Sequence, residues 1–371
     1  MKVIVAMSGG VDSSVAAYLL KKQGHEVTGL SFELWDRRDL QGSNVCCSVE
    51  TIELAKAVAK RVGIEHYTVD VRDAFYTHVI EGFCEAYLDG ITPNPCILCN
   101  KYIKFDFLLQ KAGELGAELV ATGHYARIER GERREARGKG EKIQDSKFKI
   151  QEARYSLLKG IDSKKDQSYV LYVMKQEELS KTLFPLGGLR KENTRDIAKE
   201  LGLETALRPE SQEICFVGNE KYIDFIKGFA PESLNPGPVV NMEGKVLGEH
   251  KGIAFYTIGQ RKRLGISSLK PHYVVRIDRV KNTVVVGSKV DAMVKNFRVT
   301  ALNWISVDTL AGPVRASVKV RSAMKEAPAI LTPEKDGGVF VGFDEPQWAP
   351  APGQSAVFYD DDIVLGGGII R

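Results

Sequence analysis

The residues best able to do chemistry fall in two places, a serine- and glycine-rich string near the N-terminus and a scattered set of cysteines. Ser8-Gly9-Gly10-Val11-Asp12-Ser13-Ser14 sits between a short apolar run, Lys2–Met7, and a stretch with helical apolar spacing, Val11–Lys22. Glycines at a strand-to-helix turn let the backbone approach an anion closely, and the N–H groups that open a helix point at it. Ser8, Ser13 and Ser14 add hydroxyl donors, and Asp12 offers a hard oxygen ligand for the Mg²⁺ that accompanies a polyphosphate. No Walker lysine follows, so this is a different kind of phosphate cradle. A plain glycine turn with an Asp/Ser cap is the blander alternative. It leaves unexplained why strand, full string and helix occur together.

The cysteines are Cys46, Cys47, Cys84, Cys96, Cys99 and Cys215. Short spacings in a long chain favour metal or redox chemistry over a disulfide framework. Cys96 and Cys99 form a Cys-x₂-Cys pair, a common half-site for zinc or an iron–sulfur cluster. Cys215, flanked by Ile214 and Phe216, reads locally as a buried apolar residue. Cys84, near Phe83 and Tyr87, reads as core, and adjacent Cys46-Cys47 as packing or incidental residues.

The elements that must hold these groups alternate. Lys2–Met7, Glu26–Trp35, His66–Val71 and Leu119–Ile128 have strand character. Val11–Lys22, Thr51–Val62, Ala74–Leu88 and Phe105–Leu115 have helical spacing. Such alternation predicts an α/β fold, a doubly wound parallel sheet with helices on both faces. Glu129–Lys149 is rich in Arg, Lys and Glu and predicts an extended hairpin or mobile loop, either a solvated insertion or an RNA contact. Beyond about residue 208, Pro231, Pro236, Gly237 and Pro238 mark turns. Short β-rich runs follow at Tyr273–Ile277, Thr283–Val286, Phe297–Leu302, Val314–Val320, Val339–Phe343 and Ala356–Tyr359, predicting a small C-terminal β-barrel. The expected division is 1–208 for the α/β unit, 209–292 for a small central domain and 293–371 for the barrel.

Bulk properties set limits. The 371 residues suffice for two or three domains. No apolar run is long enough to span a bilayer, and the N-terminus lacks the form of a signal peptide, so a cytoplasmic, membrane-free protein is expected. Lys and Arg total 52 against 48 Asp and Glu, net +4, which permits a polyanionic partner without demanding one.

The Ser-Gly-Gly-x-Asp-Ser string resembles that of the PP-loop ATP pyrophosphatases, which split ATP to AMP and pyrophosphate while adenylating a substrate. Among them the chain resembles the tRNA 2-thiouridylases. The resemblance rests on Thr92-Pro93-Asn94-Pro95-Cys96-Ile97-Leu98-Cys99-Asn100, Lys165-Asp166-Gln167-Ser168-Tyr169, Phe184-Pro185-Leu186-Gly187, Gln212-Glu213-Ile214-Cys215-Phe216-Val217-Gly218, Thr257-Ile258-Gly259-Gln260, Pro352-Gly353-Gln354-Ser355 and Gly366-Gly367-Gly368, in order along nearly the whole chain.

That resemblance implies 2-thiolation of a wobble uridine, with ATP, Mg²⁺ and an external sulfur donor such as a cysteine desulfurase or sulfur-relay protein. The implied substrates are glutamate, glutamine and lysine tRNAs. It implies ATP contacts over Ala6, Met7, Ser8, Gly9, Gly10, Val11, Asp12 and Ser13, and at Phe32 and Gly123. It implies that Asn94, Pro95 and Cys96 face the target base. Further implied tRNA contacts are His124, Lys165, Asp166, Gln167, Gln354, Arg321 and Ser322, the last standing where relatives often carry an aromatic. By resemblance Cys215 carries a persulfide and Cys99 helps to release its sulfur. Where some relatives have aspartate this chain has Cys96, so Cys96, Cys99 and Cys215 are equally three candidate thiolates for a 4Fe–4S cluster. Both routes stay open at the level of sequence. An amidating PP-loop synthetase would leave the paired cysteines idle, and a non-catalytic RNA-binding protein would not need the intact phosphate string.

Overall fold

The computed structural model describes residues 1–35, 49–131, 154–207, 214–217, 222–231 and 234–371. Cys46 and Cys47, most of the charged insertion, and Gln212, Glu213 and Gly218 lie outside the described residues. Strand β1 (Lys2–Ala6) is central because its apolar run has no polar face to offer solvent: Val3, Ile4 and Val5 are fully buried. Strands β2 (Glu26–Glu33), β3 (Glu65–Asp70) and β4 (Leu119–Ala121) join it in parallel. Strand alternation then splits the core into two layers. Val3 and Val5 pack with Val15, Ala16 and Leu20 of helix α1 (Val11–Lys22) and with Ala55 and Val58 of α2 (Val49–Val62). Ile4, pointing the other way, packs with Phe75, Phe83 and Leu108. The doubly wound α/β expectation holds.

One expected strand divides. Leu119–Ile128 is not continuous: the chain leaves the sheet after β4, turns at Thr122-Gly123-His124, and re-enters extended structure as β5 (Ala126–Gly131), paired antiparallel with β6 (Arg154–Lys159). The turn exists because Gly123 packs directly on the backbone at the start of α1, so the chain passes over the phosphate loop instead of continuing beside β1. A short β7 (Thr182–Leu183) takes the sheet edge next to β4, giving the order β3-β2-β1-β4-β7. The expected helices at 74–88 and 105–115 begin earlier, at Arg72 and Pro95, and each contains a π-helical stretch, Tyr76–Glu81 and Asn100–Lys104.

The β-rich second half makes two sheets. Tyr273–Ile277 and Thr283–Val286 do not belong to the barrel. They lie in β10 (Tyr273–Asp278) and β11 (Thr283–Gly287), which with β8 (Gly237–Val240) and β9 (Val246–His250) form a separate four-stranded sheet. The barrel is a ring of β12 (Met293–Trp304), β15 (Val339–Trp348), β14 (Ala327–Pro333), β13 (Val314–Lys319), β16 (Ser355–Asp360) and β17 (Ile363–Ile370), closed by β12–β17 pairing. β6 also pairs with β17, so the β5–β6 hairpin of the N-terminal half extends the barrel's sheet. Among the described residues, no helix is long and apolar enough to cross a membrane.

Candidate active site

The phosphate cradle is built by the turn from β1 into α1. Met7 donates its N–H to Leu30 and accepts from Ser31 Oγ at 2.6 Å, which fixes the end of β1 beyond Ala6. Ser8 N–H donates to Ser13 Oγ at 3.1 Å, and Ser13 and Ser14 each donate to Gly10 O. Gly10 is an N-cap that offers no side-chain acceptor, so the N–H groups of the first turn, at Val11 and Asp12, face the cleft for an anion. Gly9 has φ of +70°, and a Cβ there would lie 2.2 Å from Thr51 O. Phe32 is itself buried in the core, so only its backbone is available to a ligand. The cradle borders a cleft of about 1490 Å³ whose lining includes Lys159, Lys164, Lys165, Lys319 and Lys325 beside Asp166, Glu326 and Asp362, with Lys159 paired to Glu326 at 2.6 Å.

Asp12 is the centre of a network. Its Oδ1 lies 2.8 Å from the Tyr125 hydroxyl, and both its oxygens accept from Lys191 Nζ at 2.7 Å. The Lys191 N–H donates to Asp162 Oδ2 at 3.0 Å, which holds that carboxyl below its usual range. Lys191 and Tyr125 escaped sequence reasoning. The available signal was a lysine at the first position of a helix, Lys191–Glu200, where the dipole disfavours a cation that lacks a partner. Asp12, whose side chain is 33% exposed in the cleft, has the hard oxygens a divalent cation would need, but here both accept from Lys191.

The cysteine loop forms a second station. Asn94 precedes the short helix Pro95–Cys99, with proline at the position where its missing N–H costs least. Cys96 is exposed and Cys99 buried. Half-buried Cys215, from a distant segment, packs with Ile214 against the same apolar cluster that contains Cys99, Phe216 and Val217. Among the described residues, no three His, Cys, Asp or Glu side chains are gathered to hold a metal ion. The three cysteines thus do not form an assembled ligand set for a cluster. Cys84 is fully buried, its thiol pushed up to about 12 by desolvation and then by Glu85, in keeping with a core residue.

Several residues expected to touch tRNA make hydrogen bonds within the chain. Asp166 Oδ1 accepts the N–H groups of Gly160 and Ser168, and its Oδ2 lies 3.9 Å from Lys319 Nζ. Gln167 Oε1 accepts the Tyr125 N–H. His124 is buried beside Thr122, its Nδ1 2.7 Å from Thr122 Oγ1, and burial, then Lys104, holds the imidazole well below its ordinary pKa. Gln354 Nε2 donates to the carbonyls of Thr92 and Pro93, tying the cysteine loop to the barrel. Lys165, Asp166, Gln167 and exposed Ser322 all line the cleft.

Arg321, just beyond β13, ties two distant loops together, donating from Nη2 to Ile258 O at 2.9 Å and Ala349 O at 2.7 Å. Arg321→Met should therefore cost about 2 kcal/mol of stability, the value of charged hydrogen bonds lost between buried partners. The salt dependence of tRNA binding should keep its slope, because no phosphate contact is removed. Thermal unfolding and binding titrations over salt check both. A slope reduced by about one unit would make Arg321 a phosphate ligand instead.

Comparison with known proteins agrees with this architecture. Residues 1–219 match the family described as the tRNA methyl transferase HUP domain, 223–288 its PRC-barrel domain, and 294–370 the aminomethyltransferase beta-barrel domain. The chain is 48% identical to the tRNA-specific 2-thiouridylase MnmA 2 of Caldanaerobacter subterraneus subsp. tengcongensis, an alignment covering 100% of this chain and 98% of that protein. It is 46% identical to the tRNA-specific 2-thiouridylase MnmA of Acetivibrio thermocellus, covering 100% and 99%. To the enzyme of the same name from Clostridioides difficile it is 44% identical, covering 100% and 98%. Identity at this level along the whole length makes the chain a member of the tRNA-specific 2-thiouridylase family.

Proposed function

We propose that this chain thiolates the wobble uridine of tRNA, adenylating the 2-oxygen with ATP and replacing it with sulfur carried as a persulfide on Cys215. The observation that carries the reading is the phosphate cradle and its cleft, in a chain whose Cys99 and Cys215, from separate segments, both border one extended apolar core. A carbonyl oxygen is a poor leaving group. Attack by that oxygen on the α-phosphorus expels pyrophosphate and converts it to AMP, which leaves readily. The terminal sulfur of Cys215–S–SH then attacks C2 and AMP departs. Cys99 thiolate attacks the Cys215 sulfur of the resulting adduct, releasing 2-thiouridine and forming a Cys99–Cys215 disulfide that a dithiol reductant must reopen. Mg²⁺, when bound at Asp12, supplies charge neutralisation for the polyphosphate.

The cleft's lysines suit the tRNA backbone, and a base taken out of its stack suits chemistry on a single nucleotide. The partners are glutamate, glutamine and lysine tRNAs, with a cysteine desulfurase or sulfur-relay protein as donor, in the cytoplasm. The test is incubation of the iron-free chain with unmodified tRNA, ATP, Mg²⁺ and a persulfide donor, followed by nucleoside mass spectrometry and nucleotide analysis. The expected products are 2-thiouridine at the wobble position, AMP and pyrophosphate. ADP as the sole nucleotide product defeats the adenylation step. Thiolation that requires reconstitution with iron and sulfide, and is lost in Cys96→Ala, defeats the persulfide step.

A further inference from the structure

Lys191 stands apart from every residue to which the sequence draws attention. It opens the helix Lys191–Glu200, where its charge meets the positive end of the helix dipole. Its side chain is only 9% exposed, and a buried ammonium is costly unless it is paired. The pairing is with the residue that the cradle reserves for a metal: Nζ lies 2.7 Å from both oxygens of Asp12. Both side chains line the cleft beside Gly9 and Gly10.

We infer that Lys191 is a polyphosphate-binding residue parked on Asp12 until nucleotide arrives, so that the metal enters after the nucleotide. An ammonium on both carboxylate oxygens occupies the positions that a divalent cation would take, and the two cations cannot share one carboxylate without strong repulsion. Polyphosphate entering the cradle offers Lys191 a more highly charged partner in the same cleft. The exchange needs no backbone movement. Asp162 holds the Lys191 N–H at 3.0 Å, and a four-carbon stem lets the ammonium swing. Asp12 keeps its aim meanwhile, because the Tyr125 hydroxyl stays 2.8 Å from its Oδ1 and is itself 2.9 Å from Thr194 Oγ1. The freed carboxylate then faces the phosphates as a metal ligand. The network also gives the cleft a neutral floor when empty, since the carboxylate that would repel a polyanion is already matched.

This inference rests on the adenylation reading, and its test separates the two. On the full-length chain, binding of inorganic pyrophosphate is measured by calorimetry in EDTA, adenosine binding serves as a control, and Mn²⁺ binding is read by electron paramagnetic resonance without nucleotide. Lys191→Met should weaken pyrophosphate binding about tenfold or more, as loss of a charged hydrogen bond to phosphate does, with adenosine affinity unchanged. The same variant should bind Mn²⁺ about tenfold more tightly than the wild type, because the carboxylate is unmasked. Asp12→Asn gives an independent arm. In EDTA it should bind pyrophosphate more tightly than wild type, since Lys191 is released to the cradle, and adding Lys191→Met should erase that gain. Equal pyrophosphate affinity in wild type and Lys191→Met overturns the inference. So does a parallel fall in adenosine affinity, which marks a structural role, or an Asp12→Asn variant that binds no tighter. The adenylation reading is judged separately, by whether ATP yields AMP or ADP.

Discussion

Alanine at Gly123 should lower pyrophosphate release about a hundredfold, the usual scale for a displacement of roughly an ångström at a positioned site. A Cβ there would sit 2.7 Å from Ser13 N and 2.8 Å from Asp12 C. These are backbone atoms of the first turn of α1, not the flexible end of a side chain, so relief requires the turn itself to move. That movement misaims the N–H groups meant for the phosphates and shifts Asp12 relative to Lys191. Gly188→Ala is the matched control, since a Cβ there meets nothing within 4 Å. A coupled pyrophosphate assay decides the matter. A Gly123→Ala enzyme turning over ATP at the wild-type rate would mean that the crossing of this turn over α1 has no part in positioning.

The second large effect separates activation from sulfur delivery. Cys99→Ser and Cys215→Ser should each depress 2-thiouridine formation about a thousandfold or more, as deletion of a covalent catalytic residue does. Serine can neither carry a persulfide nor attack a sulfur–sulfur bond as a thiolate. Pyrophosphate release should persist within about threefold in both, because the cradle gains its geometry from Gly9, Gly10 and Gly123 and not from the cysteine loop. Nucleoside mass spectrometry and pyrophosphate release measured on the same samples give the two rates. Thiolation at the wild-type rate by either variant removes that cysteine from the mechanism.

The phosphate loop was legible because its chemistry and its fold signal coincide. The apolar run of β1, the glycines and the largely buried α1 are contiguous, and local sequence suffices to place them. The split of Leu119–Ile128 was not legible. Both halves have strand character, and the choice between β1 and β6 as a pairing partner depends on Gly123 packing against residues far away in sequence. The contact residues carried over by resemblance show a related limit. Arg321, Gln167 and Gln354 have the polar side chains expected of an RNA-facing surface, yet each also spends hydrogen bonds on backbone groups distant in sequence. Such pairings leave no periodic trace. Lys191 was hidden for the same reason: its partner stands on another helix, and only the oddity of a cation at a helix start hinted at one.

The seam at which β6 meets β17 bears on how the enzyme comes into being. Made from its N-terminal side, the chain produces the cradle, the cysteine loop and β5–β6 well before the strand that β6 borders. Until Ile363–Ile370 leaves the ribosome, β12 lacks the neighbour that closes the ring and β6 keeps an exposed edge. Lys159 waits as well, since its N–H donates to Asp362 O and its Nζ to Asp361 O. A nascent chain can thus fold its nucleotide-binding half early yet cannot seal that half against the barrel until translation has almost finished. Messages cut short near their end would yield proteins with an intact phosphate loop and a sticky open strand, a form that chaperones and proteases recognise readily.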